Sequence, residues 1–271
     1  MPRNDDFLPG EVWLVGAGPG DPELLTRKAE RLLTTADIVF HDALVGCAVL
    51  DLVPDQVERV SVGKRSGRHS RDQSSINALL LTAAKAGRRV IRLKGGDPSI
   101  FGRSTEEIHH LLAAGVTVRI CPGVTAASAA AASAGISLTL RGVARGLTLV
   151  TAHTRVGEPL ALDWQALAAS SATLAIYMGR VAAAEVAHAL VAAGMAADTP
   201  VLVAVNASLP TERLIRGQLS ALPFLVKAIS DDDPTMLLIG DAVGSRTLGR
   251  GDRDIGQHFR ADRETANLCR S

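Results

Sequence analysis

Short apolar runs alternate with stretches of helical period along the first half of the chain. The runs lie at 11–15, 38–41, 57–60, 89–93 and 116–121, and the helical patterns at 22–34, 48–52, 72–86, 105–114 and 125–134. Strands that alternate with crossover helices build a parallel sheet, so this half predicts an α/β unit. Asp21 stands as the N-cap of the first helix with Pro22 in its first position, and Gly87 and Gly115 end two later ones. Alanine and other small side chains fill 126–134, which predicts a helix packed closely against a neighbour.

From 140 to 146 the apolar period lapses into an arginine- and glycine-rich stretch, as expected of a connection between domains. The predicted organisation is an N-terminal tail at 1–10, one α/β domain at 11–142, a second at 143–244 and a disordered charged tail at 245–271. Strands of the second domain are expected at 147–151, 173–177, 201–205, 214–216 and 236–239, helices at 163–169, 182–193 and 219–229, and a hairpin around 207–213.

Composition narrows the classes. With 271 residues and 47% hydrophobic side chains the chain can bury a sizeable core. A net charge of +1 gives no global electrostatic argument for nucleic acid, and 3% aromatic content leaves few stacking platforms. Cys47, Cys121 and Cys269 are odd in number and lack C-x-x-C spacing, so they indicate neither a disulfide framework nor a metal site. The acidic, proline-containing start does not read as a signal peptide, and no apolar stretch is long enough to span a bilayer. A cytoplasmic protein is expected.

Two glycine loops follow predicted strands. In Val15-Gly16-Ala17-Gly18-Pro19-Gly20-Asp21 the third glycine of a dinucleotide fingerprint is replaced by Asp21 and Pro19 removes an amide donor, which argues against a pyrophosphate site even though Asp42 ends the second strand. In Leu93-Lys94-Gly95-Gly96-Asp97-Pro98 paired glycines allow close backbone approach and Asp97 offers a carboxylate to hydroxyl or ammonium donors. A turn in which Asp97 is satisfied internally is the alternative reading.

These loops, together with His41-Asp42-Ala43-Leu44-Val45, Val62-Gly63-Lys64-Arg65, Ile100-Phe101-Gly102-Arg103, Pro122-Gly123-Val124-Thr125-Ala126-Ala127-Ser128 and Tyr177-Met178-Gly179, occur in the order and at the spacings of a known family. From about Glu11 to Val243 the chain resembles the uroporphyrinogen-III C-methyltransferases of the tetrapyrrole methylase family, class III methyltransferases that use S-adenosyl-L-methionine. The resemblance implies a two-domain α/β fold, each domain a mixed sheet flanked by helices, with the cofactor in the interdomain cleft, a homodimer, and no metal. It implies transfer of two methyl groups to C2 and C7 of uroporphyrinogen III, giving precorrin-2 and S-adenosyl-L-homocysteine. Pro19, Gly95, Gly96, Asp97, Ile100, Thr125, Ala126, Met178 and Ala207 fall at its cofactor positions, and Asp42, Lys64, Arg103 and Glu106 at positions assigned to proton transfer or substrate handling. Plain structural roles compete: a strand-end cap for Asp42, a solvated charge for Lys64 and Glu106, core packing for Met178. Arg103 suits a clamp for carboxylates better than a base, because a guanidinium hardly deprotonates.

Charge adds an independent argument. Between Arg59 and Arg103 eleven Lys and Arg residues face two acids, Asp72 and Asp97. A tetrapyrrole fringed with acetate and propionate groups would be steered and bound by such a segment. Lys85, Arg88 and Arg89 also fit a solvated helix end, whereas Arg65, Arg68, His69, Arg141 and Arg145 fall in loops and are the candidate substrate contacts. Departures from the family pattern are Ser99 in place of an aromatic residue, Ser104-Thr105 in place of glycine and a small residue, Leu140 and Gly142 in a segment where the family carries His-Arg-Asp, and Ala207 where glycine is usual. They bear on the substrate more than on the cofactor. A precorrin methylase with another ring substrate and a non-catalytic member stay open on this ground.

Overall fold

A computed structural model describes residues 6–63, 72–153 and 160–245. Two five-stranded sheets organise them. The first contains β1 (Val12–Gly16), β2 (Ile38–His41), β3 (Glu58–Ser61), β4 (Val90–Lys94) and β5 (Val118–Cys121) in the order β3-β2-β4-β1-β5. Every pair of these strands is parallel. β1 and β4 are buried along their whole length; β1 therefore reads as a short apolar run, while β4 buries Arg92 and Lys94 among its apolar residues.

Helices α1 (Arg27–Thr35) and α2 (Cys47–Leu50) cover one face, where Leu32, Leu33 and Val49 pack on Trp13, Val39 and Ile91. Helices α3 (Gln73–Lys85) and α4 (Ser104–Ala113) cover the other, with Ile76, Leu80 and Leu111 against Leu14, Phe40 and Val90. The expected helix at 22–34 is in fact two pieces. A 3₁₀ turn at Pro22–Leu24 ends at Leu25, whose backbone is extended, and α1 restarts where the Thr26 hydroxyl accepts from the Ala29 N–H.

The second sheet contains β6 (Leu147–Thr151), β7 (Thr173–Tyr177), β8 (Pro200–Val205), β9 (Arg213–Gln218) and β10 (Thr235–Ile239), ordered β6-β7-β10-β8-β9. It is mixed: β6 and β7 run parallel, β10 lies antiparallel between β7 and β8, and β8 and β9 form the expected hairpin. Helix α5 (Ala126–Ala134) leaves the first sheet and lays Ala127, Ala130 and Ala131 on Ala175, Leu202, Ala204 and Leu238 of the second. Its alanines let it lie close to the strands. The opposite face is covered by α6 (Trp164–Ala169), α7 (Ala183–Ala192) and the short α8 (Leu222–Leu225), followed by α9 (Asp241–Gly244) after β10. The helix expected at 219–229 is only a 3₁₀ turn, Leu219–Ala221, running into α8, with Pro223 inside the joint. No helix among the described residues is long and apolar enough to cross a membrane.

Candidate active site

Strand order in the first sheet reverses between β4 and β1, because the chain leaves β1 toward β2 on one side and leaves β4 toward β5 on the other. Such reversals open a crevice at the carboxyl ends of parallel strands. Here the loops beyond β1 and β4 bridge: the Gly96 N–H donates to the Gly18 carbonyl at 2.7 Å and the Gly18 N–H to the Gly96 carbonyl at 3.2 Å. A Cβ on Gly123 would stand 2.3 Å from the Gly96 carbonyl oxygen, so the loop beyond β5 joins them backbone against backbone. Asp97 locks the junction. Its Oδ2 accepts from the Gly123 N–H at 3.0 Å, and its Oδ1 accepts from the Ser99 N–H at 2.7 Å and from the Ser99 hydroxyl.

The second sheet closes the other side. The Thr125 and Tyr177 hydroxyls share a hydrogen bond, and the Phe101 ring lies tilted against Tyr177 with centroids 5.0 Å apart. Leu209 fills the space over Gly20, and the Asp21 N–H donates to the Ser208 hydroxyl at 3.1 Å. Loops 18–21, 95–101, 123–126, 177–178 and 206–209 thus adjoin one another and form a rim where a cleft between the sheets is expected. Among the described residues the non-glycine positions with left-handed backbone are Phe101, Arg103, Met178, Asn206 and Ser208, all on or beside this rim. Backbone held in such conformations concentrates where a ligand or reaction requires it. Asn206 shows how it is held: its side-chain amide donates to Thr211 and Asp233, both at 3.1 Å.

Asp42 stands just beyond β2 on the same edge, with its N–H donating to the Leu93 carbonyl at 3.3 Å. Its Oδ1 accepts from Arg92 Nη2. Arg92 Nε in turn donates to Glu107 Oε1 at 3.0 Å, and Lys94 Nζ to Glu107 Oε2 at 2.8 Å. Burial pushes the Lys94 ammonium below its ordinary range, against the opposing pull of Glu107. This buried set was missed from the sequence, where Arg92 and Lys94 counted toward a basic cleft.

The rest of that basic segment is also partly consumed by the fold. Arg89 grips Asp37, Arg88 pairs with Glu58 at 2.6 Å, Arg59 reaches Asp55 at 3.7 Å, and Lys85 donates to the Ala114 carbonyl. Lys64, Arg65, Arg68 and His69 lie outside the described residues, although the neighbouring Gly63 rests against the backbone of Asp42 and Ala43. Arg103 and Glu106 form an exposed two-pronged pair at 2.7 Å in the first turn of α4. The hydrogen bonds between them hold Glu106 below the ordinary carboxylate range and Arg103 above its own. Arg141 and Arg145 are exposed beside a tight turn that Leu140 and Ala144 close and Gly142, at φ 81°, makes possible.

The loops that carry the expected cofactor positions adjoin one another. Gly95, Gly96, Asp97 and Ile100 belong to the loop beyond β4, Thr125 and Ala126 to the start of α5, Met178 follows β7, Ala207 is buried in the apolar cluster that α5 joins, and Pro19 lies in the loop whose Asp21 meets Ser208. Among the described residues no three His, Cys, Asp or Glu side chains are grouped to hold a metal ion.

Residues 11–223 match the family of tetrapyrrole (corrin/porphyrin) methylases. A siroheme synthase of Gluconacetobacter diazotrophicus is 46% identical over 88% of this chain and 51% of its own length, so the chain spans about half of such relatives. A uroporphyrinogen-III C-methyltransferase of Pseudomonas aeruginosa is 48% identical over 86% of this chain and 94% of its own. The structure of a uroporphyrin-III C-methyltransferase from Thermus thermophilus complexed with S-adenosylhomocysteine superposes with a TM-score of 0.73 and 39% identity, covering 86% of this chain and 93% of the other. The chain belongs to the tetrapyrrole methylases.

Proposed function

We propose that this chain is an S-adenosyl-L-methionine-dependent uroporphyrinogen-III C-methyltransferase that methylates C2 and C7 and yields precorrin-2. The observation that supports the reading is the junction of the loops that carry the residues expected to hold the cofactor: Gly18 bridges Gly96, Asp21 bonds Ser208 and Thr125 bonds Tyr177. Room for a ligand beside Gly96 supports the reading, since a Cβ there would touch nothing within 4 Å. S-adenosyl-L-methionine supplies the methyl group from its sulfonium. Asp97 is already bonded to Gly123 and Ser99, so its role is to shape the loop, with its remaining acceptor capacity turned to the ligand.

The chain's own contribution is positioning and proton transfer. An electron-rich pyrrole carbon attacks in line, and holding both reactants in attack geometry supplies much of the rate. Asp42 takes the proton that the methylated ring must lose. Arg103, permanently charged, binds substrate carboxylates together with Arg65, Arg68, His69, Arg141 and Arg145; Lys64 serves proton handling as well, and Glu106 orients Arg103. The two sheets centre separate domains, at 11–142 and 143–244, with α5 of the first stretch packed on the second sheet, and the working form is a cytoplasmic homodimer.

Anaerobic incubation with labelled S-adenosyl-L-methionine and enzymatically generated uroporphyrinogen III tests the reading. A dimethylated product is expected; its absence, with methyl transfer to a later precorrin instead, overturns the substrate assignment. Sedimentation at several concentrations tests the dimer.

A further inference from the structure

We infer that Arg92, Glu107 and Lys94 form a buried positioning network whose task is to hold the Asp42 carboxylate aimed into the cleft. The inference rests on Asp42 being the proton acceptor. Three of the four side chains are sealed: Arg92 is 3% exposed, Lys94 5% and Glu107 0%, whereas Asp42 is 26% exposed. Two acids and two cations make the set neutral. Its donors and acceptors are engaged, since Glu107 also accepts from Gln73 at 3.3 Å, Gln73 reaches Asn77 at 3.0 Å, and Arg92 Nη1 donates to the Leu93 carbonyl at 3.2 Å. Among the described residues the carboxylate oxygen without a hydrogen-bond partner in the set is Asp42 Oδ2, on the one member of the set that is partly exposed.

A stabilising role alone accounts poorly for this arrangement. Charges brought out of water repay their desolvation only with good geometry, and apolar side chains of similar size usually serve a core as well or better. Val90, Ile91 and Leu93 of the same strand are such side chains. Arg92 instead bridges two carboxylates with a planar fork, a fixed geometry that the rotatable donors of a lysine ammonium would not impose. With Oδ1 fixed by Nη2, the carboxylate loses the rotation that would otherwise blur the direction of Oδ2, and Glu107, pinned by Lys94 and Gln73, fixes the fork.

The experiment is a double-mutant cycle of Asp42→Asn and Arg92→Lys, read as kcat, KM and the calorimetric affinity for S-adenosylhomocysteine. Both single variants are expected to lower kcat on the order of 10²-fold with S-adenosylhomocysteine affinity held. The double variant is expected to match Asp42→Asn alone within about twofold, because Arg92 acts through Asp42. If Arg92→Lys keeps the parent kcat, or the losses multiply, positioning is overturned and the base assignment stands. If Asp42→Asn keeps the parent kcat, the base assignment falls and this inference with it. Should Arg92→Lys not fold, Glu107→Gln replaces it in the same cycle, with the same expectation of non-additive loss in kcat and the same overturning outcomes.

Discussion

The Asp97 carboxylate accepts a hydrogen bond from the Gly123 N–H at 3.0 Å and thereby ties the loop beyond β4 to the loop beyond β5. Removing it in Asp97→Ala leaves that amide and the Ser99 N–H without their acceptor. The expected loss is about 1–3 kcal/mol in urea unfolding, with weaker S-adenosylhomocysteine binding by calorimetry. Unchanged stability would show that the loops hold their shape without this bond.

Gly123 and Gly87 separate crowding from backbone conformation. Gly123→Ala drives a Cβ against a carbonyl oxygen and is expected to cost about 3 kcal/mol or more and to distort the cleft. Gly87→Ala meets no neighbour but keeps φ 76°, and is expected to cost about 1–2 kcal/mol with cofactor affinity unchanged. Parallel melts and titrations of the two variants check the contrast.

Tyr177→Phe keeps the ring against Phe101 and removes the hydroxyl bonded to Thr125. About 1 kcal/mol of stability is expected to go with it. Because Thr125 leads into α5 and Tyr177 ends β7, S-adenosylhomocysteine affinity is expected to fall as well. A variant with parent affinity would place this bond outside the binding machinery.

The Asp37–Arg89 pair gives a pH-dependent prediction away from the cleft. The hydrogen bond from Arg89 holds the folded-state pKa of Asp37 below its ordinary value, against a smaller opposing effect of burial. Its contribution is therefore present at neutral pH and lost as pH falls through and below the ordinary carboxylate range. Both side chains are more than a third exposed, so Arg89→Met is expected to cost less than about 1 kcal/mol at pH 7 and nothing once Asp37 is protonated in both states. Urea midpoints of parent and variant across acidic pH measure the convergence.

The strands of both sheets were legible because buried strands leave short apolar runs that Gly, Pro and Asp punctuate. The break inside 22–34 was not: Thr26 caps as well as Asp21 does, and helical spacing on both sides conceals the extended Leu25 between them. The rim residues could be gathered from family motifs, yet their left-handed backbone could not, since Phe101 and Met178 carry no compositional sign of it. Arg92 and Lys94 were misread for a related reason. The sequence shows their charge, while their burial depends on Glu107, which lies fifteen and thirteen residues further along and meets them only after α4 folds onto the sheet.

For protein engineering, the neutrality of the Asp42–Arg92–Glu107–Lys94 set divides the chain's basic residues into two accounts that cannot be exchanged. If the proposed function holds, variants meant to alter which anionic ring is accepted are to be sought at Arg103, Arg141 and Arg145 and among residues 64–71. The same charge changes made on β4 would be felt by the folding of the sheet before any ligand arrived.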